Sequence, residues 1–162
     1  MVTAAPITET LIQNAIAKAV QNVFRTMLRR DVTSSPNPAA HASFDMLASV
    51  GFVGTANGVV YLCLSNALAR FATGEMLGLS PGDAEMNDPE VVKDAIGEIT
   101  NMTVGGFKNQ LCDVGFPCKL TLPVIVRGND LEVVGVKDAT RYVFEFHCAG
   151  LTLTADIQLK SG

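Results

Sequence analysis

Apolar residues recur every three or four positions near the start of the chain, at Ile7, Leu11, Ile12, Ala15, Ile16, Ala19, Val20, Val23, Phe24, Met27 and Leu28. That period predicts one long amphipathic helix, starting near Thr8 and ending near Arg30. The prolines of "TSSPNPAAH" then break it, since each removes a backbone donor and fixes φ. "SFDMLASVGFVGTANGVVYLCLS" reads as a hairpin, two apolar runs with Asn57-Gly58 at the turn. Ser65 can cap a second helix, "NALARFATGEMLGL", closed by Gly78 and by Pro81-Gly82.

An acidic loop, "GDAEMND", leads to the strongest local start signal in the chain. Asp88 is a good N-cap, Pro89 fits the first helical turn and Glu90 suits the positive end of the dipole. The helix so begun is predicted over 89–111. Three to five strands follow, in "KLTLPVIVRG", "DLEVVGV", "RYVFEFHCA" and "LTLTADIQLK". Leu151, Leu153, Ala155, Ile157 and Leu159 alternate in the last of these, so that strand must be buried in a sheet. Ala149-Gly150 before it can serve as a turn or as a hinge. Helix, hairpin, two helices, then strands describes an α+β fold, with helices packed on a mostly antiparallel sheet.

At 162 residues the chain is one ordinary domain, covering 1–162, with enough apolar residues to fill a core without disulfides or metal. The formal charge of -4 argues against nucleic-acid or anionic-membrane partners, which want basic stripes. Arg25, Arg29 and Arg30 decorate the end of the first helix, where cations suit the dipole. "MVTAAPITET" lacks the cationic start and apolar block of a secretory signal. No apolar run approaches the roughly 18 residues of a membrane span. Cys63, Cys112, Cys118 and Cys148 are widely spaced, with no Cys-x-x-Cys pair, and read as reduced, mostly buried thiols of a cytoplasmic protein.

The third helix carries the candidate chemistry. At about 100° per residue, Glu98 lies roughly 40° from Asp94, and Asn101 about 20° to the other side. The three form one longitudinal polar stripe. Val92, Ala95, Ile96, Ile99 and Thr103 fall opposite, on the side that must pack. Gly97, Gly105 and Gly106 are costly in a helix interior, by up to about 1 kcal/mol each relative to alanine. Gly97 and Gly105 fall close to the stripe, where missing side chains let another surface approach; Gly106 permits tight packing on the sheet. Spacing alone also fits a merely solvated face.

Other chemistries lack their residues. His41 and His147 are isolated in sequence, and His147 reads as a satisfied imidazole within an apolar strand. Six residues separate Cys63 from Arg70 where a cysteine phosphatase needs five. No Walker loop, Gly-x-Gly-x-x-Gly or Gly-x-Ser-x-Gly element occurs. A glycosidase-like pair of carboxylates stays open, although Asp94 and Glu98 share an exposed helix face and offer no cleft. What remains is a reaction of positioning, in which an acid and an amide hold a partner and a water.

"DAIGEITNMTVGGFKNQL" resembles the signature helix of the CheC, CheX and FliY chemotaxis phosphatases: Asp or Ser, three residues, Glu, two residues, Asn, then a later Pro. Asp94, Glu98 and Asn101 match the first part and Pro123 the last. Twenty-one residues separate Asn101 from Pro123, one fewer than in the family pattern, a difference that falls near the turn "DVGFPC". "NAIAKAVQNVFRTML" is similar to the family's first helix, and "VGFVGTANGVVYLCLSNALARFATGEMLG" to its hairpin and second helix. One motif and a compact length favour CheX over the two-site CheC and over the longer FliY.

The resemblance implies a hydrolase acting on the aspartyl phosphate of a CheY-like response regulator, in chemotaxis or two-component signalling. The protein itself would need no cofactor, because the regulator supplies Mg²⁺ and a lysine. Glu98 would pair with that lysine, and Asn101 would orient the attacking water. Asp94, Gly97 and Gly105 are the candidate partner-binding residues, Asp94 at the rim and the glycines as clearance. The resemblance further implies a homodimer with exchanged C-terminal strands. Two other readings stay open: a non-catalytic adaptor or flagellar switch-like module, which could lose Asn101 without consequence, and a domain with a merely solvated stripe.

Overall fold

The computed structural model describes residues 7–35 and 44–160. Helix α1 (Glu9–Val23) begins where expected, with the Thr8 hydroxyl accepting from Leu11 N at 3.1 Å. Its last turn widens into a π-helical turn, Phe24–Leu28, and stops at Arg29 in the left-handed region. A short strand, β1 (Thr33–Ser35), occupies the front of the proline-rich break; His41 lies outside the described residues.

The hairpin pairs β2 (Phe44–Gly54) with β3 (Gly58–Leu64). Its turn differs from expectation: Thr55, Ala56 and Asn57 make it, and Gly58 already belongs to β3. The Asn57 side chain clamps the turn by bonding both ways to the backbone of Gly54, at 3.0 Å each. Gly58 is required by crowding instead, since a Cβ there would collide with the Gln158 carbonyl and the Phe52 ring. Helix α2 (Asn66–Leu77) has Ser65 as its cap, bonding Leu68 N at 3.1 Å, and Gly78 in the left-handed region at its end. A 3₁₀ turn, Ala84–Asn87, then delivers the chain to α3 (Pro89–Asp113).

The run "KLTLPVIVRG" is two strands rather than one. β4 (Cys118–Leu120) and β5 (Val124–Leu131) share the same edge of β2, end to end. Pro123 sits in the break, and Thr121 bridges it by bonding Gly51 through its backbone and its hydroxyl. β6 (Ala139–Cys148) and β7 (Leu151–Lys160) form a second hairpin. Ala149 and Gly150 make its turn with φ of 51° and 77°, which folds β7 back beside β6 of its own chain. The sheet order is β1-β6-β7-β3-β2-β4, with β5 also on β2, and every pair is antiparallel.

The segment "EVVGV" is not a strand. Residues 132–138 run as a strap over the face of the sheet opposite the helices, from β5 at one side to β6 at the other. Gln158 bonds Val136 N at 2.7 Å and Val134 O at 3.1 Å, and Arg141 bonds Val133 O at 3.0 Å. Side chains of the sheet thus satisfy the strap's backbone where a neighbouring strand ordinarily would. Arg141 also forms an ion pair at 2.6 Å with Asp156, a carboxylate only 2% exposed. On the other face, Ile157, Ala155, Phe146, Leu62, Val60 and Phe52 meet Ile12, Ile16, Leu68, Ile96, Phe107 and Leu111 in one core.

Candidate active site on the third helix

Helix α3 is held at its start, along its underside and at its flank. Asp88 Oδ1 accepts from Glu90 N at 3.0 Å, and Arg127 donates to Pro89 O at 3.2 Å. Val92, Ala95, Ile96, Ile99, Thr100, Thr103, Val104, Phe107 and Leu111 form the buried underside. Phe107 meets Phe52 edge to face, with centroids 5.9 Å apart. Gly106 does not serve contact with the sheet, as the sequence reading had it. It lets α1 come close, since a Cβ on it would lie 3.2 Å from the Ala19 Cβ.

So anchored, α3 presents Asp94, Glu98 and Asn101 together on its exposed side. Among the described residues, none of the three has a hydrogen-bond or ion-pair partner, so their polar atoms face outward. The glycines differ. A Cβ on Gly105 would meet nothing within 4 Å, so it borders open space beside Asn101. A Cβ on Gly97 would touch Ile125 Cδ1 at 3.4 Å, which makes Gly97 a contact point for β5 rather than a free gap.

The stripe is longer than the motif. Lys108 and Cys112 follow Asn101 by seven and eleven residues, within about 20° of it around the axis. Both are half-buried. The same angular arithmetic that assembled the first three residues places them, although neither belongs to the motif. His147, by contrast, is a strand residue bonded through Nδ1 to Thr152 Oγ1 at 3.1 Å, as its apolar setting implied.

A rigid helix with an acid and an amide one turn apart can insert into a partner's cleft, and it offers none of its own. A concavity of about 430 Å³ lies elsewhere, between α2 and the following loop, lined by Arg70, Phe71, Glu75, Leu79 and Met86. Among the described residues, no three His, Cys, Asp or Glu side chains are grouped as a metal site requires.

The family model for the chemotaxis phosphatase CheX matches residues 46–147, which takes in the hairpin, α2, α3 and most of β6. The chain belongs to the CheX family of chemotaxis phosphatases. It is 28% identical over 126 residues to the CheY-P phosphatase CheX of Thermotoga maritima, covering 75% of this chain and 79% of that protein. The chemotaxis protein CheX of Vibrio vulnificus has a similar structure, with TM-score 0.82, 25% identity, and 96% of this chain and 100% of that one covered. CheX of Borrelia burgdorferi, determined as a complex with CheY, BeF₃ and Mg²⁺, shares the fold at TM-score 0.73 and 18% identity, over 93% of this chain and 98% of that one. The CheX-like α+β architecture expected from the sequence is therefore the one this chain adopts. No helix among the described residues is long and apolar enough to cross a membrane.

Proposed function

We propose that this protein hydrolyses the aspartyl phosphate of a CheY-like response regulator in the cytoplasm, by laying α3 across the regulator's phosphorylation site. One observation carries the reading. Glu98 and Asn101 stand exposed, one turn apart, on a helix within the matched region, and no neighbour among the described residues occupies their polar atoms.

In this reading Glu98 pairs with a lysine of the regulator and fixes the register of docking. Asn101 enters the site and holds a water in line with the leaving aspartate oxygen. The water oxygen bonds phosphorus as the bond from phosphorus to the aspartyl oxygen breaks, giving inorganic phosphate and a free aspartate. Phosphoryl transfer needs little beyond positioning and charge stabilisation, and an amide orients water without adding an anion beside the phosphoryl oxygens. Mg²⁺ belongs to the regulator, where it neutralises phosphoryl charge. Asp94 meets the regulator at the rim, Gly105 leaves room for its surface, and Gly97 serves that surface only through the position it gives β5. The reading includes a homodimer; light scattering at twice the chain mass supports that part and a monomer removes it.

The test is the decay of an aspartyl-phosphorylated CheY-like regulator with Mg²⁺, alone, with this protein and with Asn101→Ala. Acceleration that falls by about 100-fold in the variant supports the reading, that being the cost of losing reactant positioning. A regulator that is bound but not dephosphorylated overturns it in favour of an adaptor.

A further inference from the structure

All four cysteines are free thiols, and two of them are neighbours. Cys112 lies in the last turn of α3 and Cys118 opens β4. Between them the chain reverses sharply. Phe116 N donates to Leu111 O at 2.8 Å and Gly115 N to Cys112 O at 3.1 Å, while Gly115 adopts φ +98°. That conformation suits glycine and brings Cys118 back alongside the helix. The reversal leaves the two thiols close enough for Cys112 to help raise the pKa of Cys118. Cys63 and Cys148 stand apart, buried on β3 and at the end of β6.

The pair is asymmetric. Cys118 is 6% exposed, whereas Cys112 is half-buried. Burial pushes the Cys118 thiol up, Cys112 beside it adds to the rise, and the nearby Lys108 ammonium opposes it. Lys108 precedes Cys112 by one helical turn on the same stripe. A less buried sulfur next to a shielded second one is the arrangement of a sensor thiol and its resolving partner.

We infer that Cys112 and Cys118 form a reversible dithiol–disulfide pair, a modification site at the foot of α3 that a peroxide oxidises and a dithiol reductant restores. Cys112 attacks a peroxide oxygen, the O–O bond breaks, and one water leaves as a sulfenic acid forms. Cys118 sulfur then attacks Cys112 sulfur. The S–S bond forms, the S–O bond breaks and a second water leaves. Two electrons pass from the two sulfurs to the peroxide, and a dithiol returns them by exchange. Cys112 lies about 16 Å along the helix from Asn101 and on the same stripe, so the change occurs on the face that carries the candidate site.

The experiment is a peptide map of the reduced, full-length protein after hydrogen peroxide, digested with trypsin under non-reducing conditions. Cleavage after Lys108 and Lys119 places both cysteines in "NQLCDVGFPCK". The expected result is that this peptide becomes lighter by two hydrogens, that titratable thiols fall from four to two per chain, and that dithiothreitol reverses both changes. Thiols that remain reduced where free cysteine is fully oxidised overturn the inference; so does sulfinic acid on Cys112, or a link between chains. In Cys118→Ser, dimedone should trap a sulfenic acid on Cys112, while Cys112→Ser should leave Cys118 reduced. Should either variant not fold, the map of the unmodified sequence decides.

Discussion

Gly106 of α3 lies against Ala19 of α1, so close that a Cβ on the glycine would stand 3.2 Å from the alanine methyl. Its neighbour Gly105 faces open space. Two adjacent glycines in one helix therefore have opposite reasons to exist, one internal and one external. Gly105→Ala should raise stability, by up to about 1 kcal/mol from helix propensity. Gly106→Leu should lower it by about 1–3 kcal/mol through overpacking. Urea unfolding of the two variants reads both signs. If Gly105 provides clearance for the regulator, Gly105→Ala also weakens regulator binding while stabilising the fold, a combination that a packing role does not produce.

Glu98 and Asn101 should separate in kinetics. Glu98→Lys replaces an attraction for the regulator's lysine with a repulsion, so it should weaken binding, most at low ionic strength. Asn101→Ala should leave binding nearly unchanged and lose turnover. Titration of regulator binding at two salt concentrations, beside single-turnover dephosphorylation, distinguishes them. Equal losses of binding in both variants would mean that Asn101 only docks.

The strap gives a stability test far from the site. Asp156 is buried with Arg141 as its ion-pair partner. Removing one partner of a fully buried pair costs about 3–5 kcal/mol. The Arg141 side chain is 41% exposed, so solvent reduces the cost here below that range, while the buried Asp156 still loses its charge partner. Arg141→Ala should therefore lower the urea midpoint sharply. Arg25→Ala, which breaks a pair with Asp31 at 3.7 Å between two exposed side chains, should cost about 0–1 kcal/mol. Similar losses would mean that the strap's bond to Arg141 carries little.

Cys63 makes alkaline stability a readout of the same region. Burial pushes its thiol from 9.0 to about 12, Asp156 adds to the rise and Arg141 opposes it. With the folded pKa above the unfolded one, its contribution is complete below the unfolded value. It is lost as pH rises towards the folded one, since the unfolded chain then releases a proton that the folded chain keeps. Between about pH 9 and pH 12 this group should reduce stability by up to about 1.4 kcal/mol per pH unit. Thermal unfolding across that window should flatten in Cys63→Ala relative to the parent; parallel curves would remove the thiol as a cause.

The helices were legible because each begins with a side chain that caps it, namely Thr8, Ser65 and Asp88. The polar stripe was legible by rotation alone. That it faces outward, with Asn101 unoccupied, depends on what packs beneath α3, and a pattern of residues does not hold that information. The strap was misread for a physical reason. "EVVGV" has the β-branched alternation of a strand, but Gln158 and Arg141 satisfy its backbone from a distance in sequence. The burial of Asp156 and Gln158 was hidden too, since β7 reads as one apolar face and one polar face while the strap covers the polar one. Pro123 was the available sign that β4 and β5 are separate, because a proline interrupts a ladder.

The position of β7 has a bearing on how the protein is made. The last strand in chain order lies in the middle of the sheet, between β6 and β3. A nascent chain therefore carries β1 and β6 with no link to β2 and β3 until residues 151–160 have cleared the ribosome. A premature stop after residue 150 would remove the seam of the sheet rather than trim its border, leaving two half-sheets with open edges exposed to aggregation.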